Sequence, residues 1–358
     1  MRTALVLSGS VVSFFLIEFL VFHTEYYRSI LKPESSTGII ESILANEKRR
    51  PVRDRRQIVS VGDSRMGFFP KYENELKLPY AFATIGAAGS TPRCWYYMLR
   101  DVDPTAKRYS AIVVPVENYD DAEIWENYAD RITDLSYMIE ILGWRDLWEF
   151  PRSLTNPSLK WRAFRGLVLK GLVNKTDFQD LIQDPAARLK DVEFYRQGSA
   201  IWAYDYVGPA DSLKDVKIDF KARTIEGPPE VMAAHRLGLR IRFLDPQPPQ
   251  TGRHSAYLHF WLGKICDYYR NSGTRVIFIR LPRGGFIRPD QPPSNPNSSV
   301  RDCSKRPNVT LAPEHFFDDL ERPDLFGDEV HLSGPGTSRF SVELAHLLVR
   351  LLEPSDAI

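Results

Sequence analysis

Gly62-Asp63-Ser64-Arg65 follows directly on Gln57-Ile-Val-Ser-Val61, a short β-branched run. An apolar strand that ends in a tight glycine turn and presents a serine exposes a hydroxyl at the C-terminal edge of a parallel sheet. Taken alone the tripeptide is weak, because Asp and Ser after Gly also build ordinary turns and N-caps. A second pair stands near the other end of the chain. Asp328 and His331 are three residues apart, so one turn lets carboxylate and imidazole approach from the same loop; the plainer reading is a cap pair before the last helix. Metal chemistry has less support. Cys94, Cys266 and Cys303 match no zinc spacing, and the remaining histidines are isolated. One disulfide with a free thiol and three free thiols are both compatible with that count.

The elements that would hold these residues are legible as alternating strands and helices. Tyr80–Ile85 reads as a second strand, followed by Gly86-Ala-Ala-Gly89-Ser90-Thr91-Pro92 and a helix-compatible stretch to Arg100. Ala111–Val116 is a third strand, ending in Glu117-Asn118-Tyr119-Asp120, and Thr274–Ile279 is a fourth. Ser338–Leu352 has the apolar period of a C-terminal helix through Phe340, Leu344, Leu347, Leu348 and Leu351. Such alternation predicts an α/β fold with a mostly parallel sheet and right-handed crossovers.

With these blocks in place, the chain resembles the SGNH hydrolase superfamily of GDSL-like lipases and esterases. Four blocks occur in the family's order: Gly62-Asp63-Ser64, Gly89 after the next strand, Asn118 after another, and Asp328-x-x-His331 before the last helix. Two departures stand out. Glu117 replaces the usual glycine before the asparagine, and Arg65 follows the serine. The resemblance implies a flavodoxin-like three-layer sandwich and acyl transfer without cofactor or metal. Ser64 would be the nucleophile, His331 the general base and acid, and Asp328 the partner that orients the imidazole. The backbone N–H groups of Ser64 and Gly89 and the amide of Asn118 would hold the oxyanion. Asp63, Arg65 and Glu117 are candidate substrate contacts, although an outward surface arginine is the plainer reading of Arg65.

Thr3–Phe22 is predominantly apolar with Glu18 as its one charge and spans about 30 Å as a helix, the thickness of a bilayer core. The expected organisation is therefore a transmembrane signal anchor over 1–24 and a polar tether over 25–56. The SGNH-like domain follows over 57–120 and 253–358, interrupted by a largely helical insertion over 121–252 that would form a lid or substrate groove. Within the insertion, helices are expected around 132–147 and 159–173, with most tryptophans filling its own core. Residues 282–315 read as a long irregular loop.

The chain has 358 residues, 43% of them hydrophobic, with 47 basic and 46 acidic side chains, and its near-neutral charge gives no reason to expect nucleic acid. Together with an anchor, the resemblance implies a single-pass, extracytoplasmic esterase or O-acyltransferase. Its substrate would be acyl, especially acetyl, esters of cell-envelope carbohydrate, and a membrane-bound O-acyltransferase is an expected partner. The competing expectations are an inactive tethered scaffold, motivated by the altered third block, and a lipid esterase.

Overall fold

The computed structural model describes residues 2–51, 56–66, 76–122, 128–196, 212–246, 252–290 and 293–353, with side chains from Leu7 onward. Trp125 and Trp202 lie outside the described residues. In chain order the strands are β1 (Arg56–Ser60), β2 (Tyr80–Thr84), β3 (Ala111–Val116), β4 (Lys217–Asp219), β5 (Thr224–Glu226), β6 (Arg275–Arg280) and β7 (Val309–Leu311). Five of them form one parallel sheet in the order β2-β1-β3-β6-β7, and β4 and β5 make a separate antiparallel hairpin. The order reverses at β1, whose two neighbours β2 and β3 follow it in the chain. In such sheets the crevice outside the carboxyl ends at this reversal is where ligands bind.

Every residue of β3 is buried, as expected of a strand covered on both faces. Ile58, Phe82, Val113, Ile277 and Ile279 share one core with Phe340, Leu344, Leu347 and Leu348 of the C-terminal helix (Gly334–Leu352). Val59, Ile112, Val114, Val276 and Phe278, which alternate with them along β1, β3 and β6, are buried as well. Pro115 sits inside β3, where a missing N–H would normally break a ladder. The register explains why it is tolerated. β1 pairs with β3 only as far as Ser60 against Val113, and Val61 then donates to the Val113 carbonyl at 3.0 Å. Pro115 faces the same side two residues later, beyond the end of β1, so no ladder bond is lost.

The N-terminal expectation needs correction. Residues Arg2–Phe22 are helical, but among the described residues no helix is long and apolar enough to cross a membrane, so the transmembrane helix is withdrawn. Glu18, the charge that interrupts the apolar run, is a packing element: it is buried and accepts the Gly171 N–H at 2.7 Å. Nor is 25–56 a polar tether throughout. Glu25–Ser29 and Ser36–Arg49 are helices, and Tyr27, Ile30, Leu31, Ile40 and Leu44 are buried.

The chain divides into two compact units, one made of Met1–Arg50 with Ala129–Ile201 and the other of Pro51–Tyr128 with Trp202–Ile358. The first is helical. Tyr27 donates to Asp177 at 2.8 Å, the Lys32 N–H to the same carboxylate at 2.9 Å, and Arg188 to the Ile30 carbonyl at 3.1 Å. Its tryptophans do not fill a core as expected: Trp144, Trp148 and Trp161 are exposed. The second unit carries the sheet. Leu213, Val216, Val231, Leu239 and Phe243 belong to the sheet's core, so the later part of the expected 121–252 insertion packs with the strands that flank it in sequence. The expected irregular stretch 282–315 contains the short helix Ser299–Cys303 and the edge strand β7. Cys94, Cys266 and Cys303 are buried and form no disulfide among the described residues.

Candidate active site

β1 delivers the chain to its carboxyl end, and Gly62 then turns it with φ +147°, a region that side chains rarely adopt. A Cβ at Gly62 would press on Met66 and on Pro115 of β3. The Ser64–Met66 helical turn follows at once, with Met66 buried beneath it and Ser64 at its start. The loop after β2 is fastened to this turn: the Gly62 carbonyl accepts from the Ala87 N–H at 3.0 Å and from the Ser90 hydroxyl at 2.8 Å. Gly89 lies in that loop with φ +66°.

The second half of the site arrives from a hairpin-like turn before the C-terminal helix. Gly327 donates to the His331 carbonyl at 2.9 Å, and Phe326 bridges Leu332. One Asp328 oxygen accepts the backbone N–H groups of Val330 and His331 at 2.8 and 2.7 Å, which leaves the other free to face the imidazole. Ser333 caps the helix, and its own N–H binds the Leu325 carbonyl at 2.9 Å. Gly336, in the first turn of that helix, lies so close to Leu325 that a Cβ would overlap the Leu325 carbonyl oxygen. Gly336→Ala is therefore expected to destabilise the protein by ~1–3 kcal/mol in a denaturant titration, and to lower activity by displacing the His331 turn.

The two halves meet. Ser64 Oγ lies 2.7 Å from His331 Nε2, and His331 Nδ1 lies 2.7 Å from Asp328 Oδ2, although 267 residues separate Ser64 from His331. Burial alone would raise the Asp328 carboxyl. The imidazole and the two backbone donors outweigh burial and hold it at about 2, so it is a carboxylate throughout the neutral range. A carboxylate only accepts hydrogen bonds, so Nδ1 of the imidazole must carry the proton. In the neutral ring Nε2 is then the acceptor, and the Ser64 hydroxyl donates to it. This is the tautomer a general base for a serine nucleophile requires.

The remaining expected residues fall into different roles. Asn118 is turned into its own loop: Nδ2 donates to the Ala122 carbonyl at 2.5 Å, and Oδ1 accepts the N–H groups of Asp120 and Ala122, both at 2.9 Å. These are the bonds of an Asx-type brace, unlike the oxyanion donor expected of this amide. Asp63 and Arg65 clamp each other across Ser64. The Arg65 N–H and Nε bind Asp63 Oδ1 at 3.0 and 3.1 Å, and Nη2 binds Oδ2 at 2.8 Å. Burial opposes both charges, yet each stabilises the other: the Asp63 carboxyl stays below its ordinary range, and Arg65 is held charged by Asp63 and Glu117. Arg65 Nη1 lies 3.8 Å from Glu117 Oε2, so Arg65 is no free surface residue. Glu117 in turn is bound through its other oxygen by Arg242. Arg242 was not anticipated; it lies in the region read as an insertion, 125 residues from Glu117, and no local pattern marks it.

No protein-family model matches this chain, and no curated protein matches it either.

Proposed function

We propose that this protein is a serine esterase or O-acyltransferase of the SGNH type, working through an acyl-serine intermediate. The observation that carries the reading is the continuous relay from Ser64 Oγ through His331 to Asp328, with 2.7 Å at both contacts. In this reaction the hydroxyl oxygen attacks an ester carbonyl while His331 Nε2 takes its proton. The tetrahedral intermediate collapses to the acyl-serine, and the same proton leaves with the alcohol. Water or a second hydroxyl then attacks the acyl group, His331 again serving as base, and Ser64 is restored. Asp328 stabilises the imidazolium formed twice in the cycle. The backbone N–H groups of Ser64 and Gly89 are the proposed oxyanion donors, each worth ~3–4 kcal/mol to such a transition state. Asn118 acts here by bracing the loop after β3.

The expected envelope-carbohydrate substrate leaned on an N-terminal anchor, and with the anchor withdrawn the proposal is confined to the chemistry. An inactive scaffold that keeps the fold is the rival reading, and the altered third block motivates it. A fluorophosphonate probe separates the two, since it forms a covalent adduct only with an activated serine. Stoichiometric labelling at Ser64 with hydrolysis of p-nitrophenyl acetate is the expected result. A folded protein that neither labels nor turns over this ester is the scaffold.

A further inference from the structure

One segment of the sheet-bearing unit touches both halves of the relay. The helix Pro229–Leu239 runs into a widened turn at Arg240–Leu244, of the kind that often marks functional sites. Gly238 lies against the side chain of Glu329, the residue after Asp328, and a Cβ there would overlap it. Phe243 packs on Gly284, which itself lies against the Glu329 carbonyl. From the same turn Arg242 reaches the other half. It binds Glu117 at the end of β3, and Glu117 lies beside Arg65, which with Asp63 brackets Ser64.

Arg242 is held from the other side as well. Its Nε and Nη2 donate to the Arg283 carbonyl at 3.2 and 2.6 Å. Arg283 is tied to Glu321 at 2.7 Å, and Glu321 to Arg280 of β6 at 2.8 Å. Buried and half-buried charged residues thus form a belt along the carboxyl ends of β1, β3 and β6, with Arg242 at its centre and the Arg283 backbone carbonyl as one of its links. Arg242 and Glu117 are both almost fully buried, and such pairs hold their geometry tightly because a lone buried charge is costly.

We propose that Arg242 is a positioning residue for Ser64: through Glu117 and the Arg65–Asp63 clamp, the Pro229–Leu244 segment fixes the nucleophile's turn while it also braces the His331 turn. The inference rests on the proposed serine chemistry. Arg242 touches no reacting atom in this scheme, and its effect passes through the separation of Ser64 from His331.

The test measures three quantities: the rate of fluorophosphonate labelling of Ser64, kcat and KM for p-nitrophenyl acetate, and thermal unfolding. Arg242→Met is expected to slow labelling by ~100-fold and to lower kcat with little change in KM, because misplacement of about 1 Å costs that much. Arg242→Lys should recover only part of the rate, since a single ammonium cannot reproduce the two-sided fork. The double variant Glu117→Gln/Arg242→Met removes both buried charges; it should unfold near the wild-type temperature yet still label slowly. Arg240→Met, an exposed neighbour paired with Asp245 instead, should label at the wild-type rate. If Arg242→Met is folded and labels like wild type, or if the double variant regains the full rate together with its stability, the positioning role is overturned. A wild-type protein that never labels overturns the serine reading, and this inference with it.

Discussion

Ser64→Ala is expected to lower turnover of p-nitrophenyl acetate by ~10^6-fold and to abolish covalent labelling, while leaving the unfolding transition in place. The size follows from the relay acting as a unit. Without the hydroxyl, His331 has no nucleophile to deprotonate, and only oxyanion stabilisation and binding remain. The substitution itself removes one oxygen from a partly exposed position, and the turn around it is held by the Asp63–Arg65 clamp, which does not use the Ser64 side chain. Steady-state kinetics on the purified variant, with mass spectrometry of the probe adduct, check the result. Activity that survives Ser64→Ala would mean that another group performs the chemistry.

Asp328→Asn is expected to cost ~10^4-fold in kcat, out of proportion to its size. The carboxylate fixes the proton on Nδ1. An amide in its place offers an N–H donor to the same nitrogen, which favours the other tautomer. Nε2 would then carry the proton and face Ser64 as a donor, unable to accept the hydroxyl proton. A companion pH experiment tests the electrostatics independently of turnover. The folded carboxyl lies at about 2 against an ordinary 3.8, so protonation occurs at lower pH in the native state than in the unfolded chain. Its stabilising contribution, ~2 kcal/mol, is therefore complete above pH ~4 and lost as the pH falls through 2. The stability difference between wild type and Asp328→Asn should shrink over that acid range. A difference that stays constant from pH 6 to 2 would show that the carboxylate is not held as described.

Much of this site could be read from residues close together in the chain, because the chemistry there is local. Gly62-Asp63-Ser64 is a strand end and a turn in three residues, and Asp328 with His331 shares one turn; each pattern is short enough for spacing to dictate geometry. Strands β1, β3 and β6 announce themselves by β-branched runs, and β2 by its alternating aromatic residues Tyr80 and Phe82. β7 does not, being only Val309–Leu311 within a proline-rich stretch, and it is a strand because β6 offers it an open edge. Asn118 shows the opposite limit. Its position after β3 is evident from sequence, but the direction of an amide depends on which N–H groups a particular loop presents, and here Asp120 and Ala122 present theirs. Arg242 could not be found at all without folding the chain. At the N-terminus the apolar run is evident from sequence, but among the described residues no helix is long and apolar enough to cross a membrane, and the contact of Glu18 with the Gly171 backbone has no local signature.

The two compact units are threaded through one another in sequence, the helical one being assembled from 1–50 and 129–201. Trimming the polypeptide at residue 51, as one would to discard a leader, would strip Tyr27, Ile30 and Lys32 from Asp177 and Arg188 while leaving those two side chains behind. The helices of 129–201 would then be left uncovered in mid-chain. Isolating the sheet-bearing unit therefore calls for two excisions, of 1–50 and of 129–201.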